Sequence, residues 1–304
     1  MFSTLAKTSP YLWMLIGSFF FAIMGLLTES LGDEYSFAWI AGVRSGIATL
    51  LAVAMVWFSG ARLVFFRPAT LWWRSLAGCA AMMFLFFGMT HYDVSVILSL
   101  SSMYPIWVAV LGWPLLGHVP SRDTWIALAI STLGMWLVYS AAVMGDDSLA
   151  VQSHYLPHIA IPCGVIGGML SGVALIGLHK VKDIDPRAVV AHFSAVSTMI
   201  AFSVWIIAPI FFGKGEAMVA TDSTSLLRLL AVGVTAMLGQ LFLTKAFAAG
   251  RPARISVVGL SQVAVAALYK WAVDGRVPSA LGLAGMVLVV GTTLWVMLRN
   301  VESE

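Results

Sequence analysis

Charge is what this 304-residue sequence has least of. Asp, Glu, Lys and Arg together make up 10% of it, against about 25% in soluble domains. Apolar residues make up 60%, and mean hydropathy is +0.94. A soluble core of this size has no room for that much apolar surface, so a water-soluble domain is excluded and lipid is the solvent for most of the chain. A net charge of +3 leaves no basic footprint for nucleic acid. The two cysteines, Cys79 and Cys163, lie in apolar runs and read as small packing residues, not as a disulfide or metal framework. Neither an HExxH zinc motif nor a Walker A phosphate loop is present, so no metal or cofactor is expected. No cleavable signal is expected either: YLWMLIGSFFFAIMGLL is long enough to span and lacks a following small-residue cleavage site.

What is present is a series of long apolar runs. A bilayer core of about 30 Å takes about 20 residues of helix. Ten segments qualify, near 10–28, 36–58, 70–90, 93–116, 123–143, 157–178, 187–212, 225–247, 252–273 and 279–298. The expected fold is an all-α membrane protein of ten transmembrane helices. With the N-terminus inside, twelve Lys and Arg residues, among them Arg74, Lys245, Arg251 and Arg254, fall on the cytoplasmic side. Four, Lys214, Arg228, Lys270 and Arg276, fall outside. That bias orients both termini to the cytoplasm of a cell inner membrane.

The ten spans divide into halves. Residues 94–121, VSVILSLSSMYPIWVAVLGWPLLGHVPS, align without a gap on 252–279, PARISVVGLSQVAVAALYKWAVDGRVPS. Val119-Pro120-Ser121 meets Val277-Pro278-Ser279, Ile97 meets Ile255, and Tyr104 meets Gln262. Each half has five spans, so the second is inserted upside down. The expected organisation is two inverted repeats, 1–145 and 157–304, joined by a linker over 146–156. Inverted repeats are an architecture of alternating-access carriers, with the substrate site near the midplane between them.

Three stretches carry a family resemblance: AGVRSGIATLLA, FFGMTHYDVSVILSLSSMYPIWVAVLGWPLLGHVPS and GQLFLTKAFAAGRPARISVVGLSQVAVAALYKWAVDGRVPS. With the five-plus-five plan, they make the chain resemble the drug/metabolite transporter superfamily, EamA type. The resemblance covers nearly the whole chain and implies a transporter. Such proteins usually carry Gly-Glu at the turn after the fourth and ninth spans. Here the Glu positions hold His118 and Arg276.

Candidate substrate-binding residues follow from polarity inside apolar runs. Arg44 lies about 12 Å inside the second span at 1.5 Å per residue. An unpaired charge at such depth is costly. Its expected partners are helix-end carbonyls or an outer acid such as Glu29, with contact to a substrate carboxylate or phosphate as the alternative. Pro105 cannot donate a backbone hydrogen bond and is expected to free the carbonyl of Ser101, next to Tyr104 and Trp107. Gln240 and Gln262 are amides in the eighth and ninth spans. Trp13 and Phe20 are candidates for a cavity wall, whereas Trp72, Trp73 and Trp113 read as interface anchors. Gly164, Gly168 and Gly172 recur every four residues, as close helix packing requires. No Asp or Glu lies in the interior of any predicted span, and His192 is the only deep titratable substitute. The expected partners are a small-molecule substrate and the bilayer, the chain being a monomer or weak homodimer.

These features point to a carrier of a small polar metabolite, carboxylated or zwitterionic, because basic residues in the spans lack matching acids. Efflux of amphipathic drugs is the alternative suggested by the aromatic content. An intramembrane enzyme is the alternative from another class, but GGMLSG departs from a Gly-x-Ser-Gly signature at Met169.

Overall fold

Helix is the only regular element among the described residues, as expected of a backbone that must satisfy its own hydrogen bonds in lipid. The computed structural model describes all residues except 1, 33, 92–100, 118, 145–156, 213–221, 275–278 and 303–304. Eleven helices are described: α1 (Phe2–Glu29), α2 (Phe37–Ser59), α3 (Ala69–His91), α4 (Tyr104–Leu116), α5 (Arg122–Met144), α6 (Pro157–Lys180), α7 (Pro186–Phe212), α8 (Ser223–Ala249), α9 (Pro252–Gly259), α10 (Ser261–Asp274) and α11 (Ala280–Glu302). Seven stretches, in α1, α2, α3, α6, α7, α8 and α11, are long and apolar enough to cross a membrane, and the apolar α4 and α9–α10 are shorter. The 146–156 linker, His118, Arg276 and the side chain of Lys270 lie outside the described residues.

Local signals start and stop the helices where the apolar runs begin and end. The Ser36 hydroxyl caps α2 by accepting from the Trp39 N–H at 3.2 Å, and Asp222 caps α8 by accepting from the Thr224 N–H. That bond holds the Asp222 carboxyl below the usual carboxylate range. Gly60 and Gly117 close α2 and α4 at φ of 68° and 70°, a left-handed conformation that a Cβ disfavours.

Four helix pairs carry most of the packing: α1 with α8, α3 with α6, α2 with α7, and α5 with α11. Each pair joins one helix from before the 145–156 segment to one from after it, so neither half buries its core alone. Small residues set the separations. A Cβ on Gly134 would lie 2.8 Å from the Gly285 carbonyl oxygen, so α5 and α11 touch backbone to backbone. Gly172 of α6 faces the Trp107 backbone, which bears out close packing at that position. The outward surface is apolar, with Phe58 88% and Trp57 81% exposed, as a lipid-facing surface must be.

Two spans are interrupted. Residues 102 and 103 form a turn directly before α4, with Pro105 in the first turn of that helix. This agrees with the break expected near Pro105. Ser101 is half-buried and is not without a partner. The apolar run over 252–273 breaks at Leu260, between α9 and α10, with no proline in the break. There the Leu260 N–H bonds the Val257 carbonyl and the Val263 N–H bonds the Leu260 carbonyl. The carbonyls of Ser256 and Gly259 thereby lose their usual helical donors. Side chains from two other helices meet them. The Tyr104 hydroxyl donates to the Ser256 carbonyl at 3.3 Å, and the Ser18 hydroxyl donates to the Gly259 carbonyl at 3.4 Å. A break at membrane depth stands because these hydroxyls satisfy it.

Candidate functional site

Among the described residues, polar side chains meet where helices of the two halves pack, and three such groupings include residues singled out in the sequence. The first surrounds the break between α9 and α10. Tyr104 of α4 reaches across to α9, and a Cβ on Gly259 would collide with its hydroxyl and with Met14. Ser261 is buried beside the break with its hydroxyl unpartnered, and the neighbouring Gln262 is half-buried.

The second grouping lies between α1 and α8. Phe20 stacks on Phe242 with ring centroids 6.2 Å apart. The Lys245 ammonium sits 5.9 Å from the Trp13 ring and 5.6 Å from the Phe242 ring. This is an aromatic wall carrying one cation, within the range of a cation–π attraction. Trp13 and Phe20 therefore share one helix interface.

The third grouping brings Gln240 and His192, both singled out in the sequence, to a residue that was not, Arg74. Arg74 counts as a cytoplasmic flanking charge in the sequence, yet it is only 3% exposed. Its Nη2 donates to Gln240 Oε1 of α8 at 3.3 Å, and its guanidinium carbon lies 4.3 Å from the centroid of the Phe193 ring of α7. On the α6 side a Cβ at Gly177 would be 2.7 Å from the Arg74 Cβ. In the second turn of α3, the side chain is enclosed by three helices, α6, α7 and α8. Its Nε and Nη1 are buried with no hydrogen-bond partner. Beside it, Ser75 and His192 Nδ1 are hydrogen-bonded at 2.8 Å, and Trp72 and Phe65 pack on the imidazole. Trp72, expected as an interface anchor, is half-buried and packs edge-to-face with the His192 ring. Trp73 and Trp113 do face outward, 72% and 61% exposed.

Arg44 faces the interior, as expected, and is 6% exposed. Its expected restraint by Glu29 or helix-end carbonyls is corrected. Nη1 lies 3.2 Å from Met82 Sδ, and the guanidinium sits 5.8 Å from the Phe86 ring centroid. Glu34, the other outer acid described, is engaged with Arg228 at 3.6 Å and accepts from the Ser225 hydroxyl. Arg44 contacts α3 at position 82 and Arg74 stands on the same helix, eight residues and about 12 Å away. Among the described residues neither buried guanidinium has a carboxylate partner.

Tyr104, Trp107, Gln240 and Gln262, expected at one space, are each half-buried. Gln240 is committed to Arg74, Tyr104 to Ser256, and Trp107 presents its backbone to Gly172. Helix α1 connects the regions, packing on α8, α9 and α10. Among the described residues no group of three or more His, Cys, Asp or Glu side chains is placed to hold a metal ion.

The sequence is similar to those of known transport proteins. Residues 8–140 match the EamA-like transporter family. The chain is 26% identical over 288 residues to the pseudopaline exporter CntI of Pseudomonas aeruginosa, covering 93% of each protein. It is 20% identical over 230 residues to solute carrier family 35 member G1 of Mus musculus, covering 75% of this chain and 61% of that one. One solved crystal structure superposes with a TM-score of 0.77 at 16% identity, over 97% of this chain and 99% of the other, a likeness of fold. A multi-helix chain with an apolar outer surface and a polar interior shared between its halves is thus similar over residues 8–140 to the EamA-like transporter family, and over most of its length to proteins named as an exporter and as a solute carrier.

Proposed function

We propose that the protein is a ten-span alternating-access carrier for a small carboxylated or zwitterionic metabolite, built from inverted repeats over residues 1–145 and 157–304. Both termini lie in the cytoplasm of the inner membrane. The observation that carries the substrate class is the pair of buried arginines. Two permanent cations are buried in the bundle, Arg44 against Met82 of α3 and Arg74 against Gln240 of α8, and neither has a described carboxylate partner. Buried charge is strongly disfavoured unless paired or hydrogen-bonded, and a solute bearing an anionic group supplies the partner.

The packing supports the repeat. Exchanging the halves turns the α1–α8 contact into the α3–α6 contact, while α2–α7 and α5–α11 each map onto themselves. The helix breaks at 102–103 and at 260 fall at aligned positions, although Pro105 has Val263 as its counterpart. Rocking of one half against the other then opens the space between them to each side in turn. The relative named as an exporter favours outward transport.

The test compares solutes released by cells expressing the protein with those released by vector controls, followed by counterflow of the enriched solute in proteoliposomes. Saturable counterflow of a carboxylated or zwitterionic solute is expected. Enrichment of a purely cationic solute refutes the substrate class, and unsaturable flux refutes the carrier. The aromatic wall of Trp13, Phe20 and Phe242 beneath Lys245 favours a second reading, efflux of amphipathic drugs. Dye retention in the same cells tests it.

A further inference from the structure

We propose that Arg74, with Gln240, is the docking point for a carboxylate of the transported solute. This rests on the carrier reading above and adds to it a specific site, one that the sequence places outside the membrane core. Three neighbouring helices each cover one aspect of the Arg74 side chain, and none supplies an anion. Gly177 of α6 lies against the stem, the Phe193 ring of α7 faces the guanidinium plane, and Gln240 of α8 accepts from Nη2. Nε and Nη1 remain buried and unpartnered. Permanent burial in that condition leaves donors of a cation unmet, a strongly unfavourable arrangement for a residue serving only as a strut.

The donor pattern sets the ligand chemistry. A guanidinium has donors only, so the Gln240 atom facing it is the amide oxygen. That orientation leaves the Gln240 amide N–H groups as donors. Arg74 and Gln240 together therefore present N–H groups and no acceptor, and they select a ligand rich in acceptors. The planar fork fits a carboxylate better than a point cation does. The cation–π contact with Phe193, 4.3 Å from the guanidinium carbon to the ring centroid, holds the fork in place before the ligand arrives. Arg44 differs, because Nη1 already lies on the Met82 sulfur.

Two substitutions test the assignment on the full-length protein, with the enriched acid from the release assay as probe and its primary amide as comparison. Arg74→Met removes the cation and keeps an apolar stem. It is expected to lower transport of the acid at least tenfold and to abolish the preference for acid over amide. Gln240→Glu places a built-in carboxylate against Arg74. It is expected to raise the thermal midpoint and, by occupying the fork, to lower transport of the acid at least tenfold. A strut would gain the stability and keep the transport. If Arg74→Met fails to fold, Gln240→Glu decides alone. Transport by Gln240→Glu at the wild-type rate, or an unchanged acid preference in folded Arg74→Met, overturns the proposal while leaving the carrier reading intact. Release of a solute with no acidic group instead overturns the carrier's substrate class itself.

Discussion

Replacing Tyr104 by Phe removes one hydroxyl oxygen and nothing else, and it does so at the break between α9 and α10. The hydroxyl donates to the Ser256 carbonyl at 3.3 Å, where the helix has withdrawn its own donor. An intramolecular hydrogen bond contributes about 0.5–1.5 kcal/mol net, and a buried group left unmet costs about 1–3 kcal/mol. Polar contacts between membrane helices average about 0.6 kcal/mol. The bond here is long, and the carbonyl has a second route to satisfaction if the break shifts by a residue. We therefore expect Tyr104→Phe to destabilise by about 1 kcal/mol. Ser18→Ala, acting on the Gly259 carbonyl at 3.4 Å, should do the same. The double variant should lose about 2 kcal/mol, because the hydroxyls serve different carbonyls. The assay is reversible denaturation of the purified protein in mixed micelles, with transport measured in parallel. Unchanged stability in both single variants would refute the account of the break as a side-chain-satisfied interruption. Unchanged stability with lost transport in Tyr104→Phe would place the hydroxyl on the solute instead.

Three further outcomes are expected. Gly285→Ala drives a Cβ to 2.5 Å from the Gly134 carbonyl oxygen and 2.7 Å from the Val138 nitrogen. Backbone cannot yield, so α5 and α11 must separate, at about 1–3 kcal/mol, read as a lower thermal midpoint. Arg44→Met puts a thioether among Met82 and Phe86 in place of a charge. Stability should hold or rise by about 1 kcal/mol, since apolar replacement of buried charge is often neutral or stabilising, while uptake or release of the acidic solute falls; a drop in stability would make Arg44 a structural clamp. Single cysteines replacing Ser30 and Asp183, both exposed, should react with an impermeant thiol reagent from outside and from inside respectively. The native thiols are buried and should stay silent, and labelling of both from one side contradicts the inverted arrangement.

Much of the molecule was legible in the sequence because lipid imposes a simple rule. A backbone in hydrocarbon must be helical, and the surface of the bundle must be apolar. The apolar runs therefore located the helices, and the gapless match of 94–121 to 252–279 pointed to related halves. The break at Pro105 was legible for the same local reason, a missing N–H. The inward direction of Arg44 also followed from depth alone.

Partners did not. Depth says that Arg44 needs company but not that Met82 provides it. Counting residues from the end of a run placed Arg74 at the interface, whereas its burial is decided by α6, α7 and α8 closing around it. The break at Leu260 has no proline to announce it. It depends on hydroxyls at positions 18 and 104, which only tertiary packing brings to those carbonyls. Sequence pattern fixes which groups are polar inside the membrane, because that is a property of each residue and its neighbours along the chain. Which of them meet is fixed by helices that arrive from the opposite half, and that is a property of the folded bundle alone.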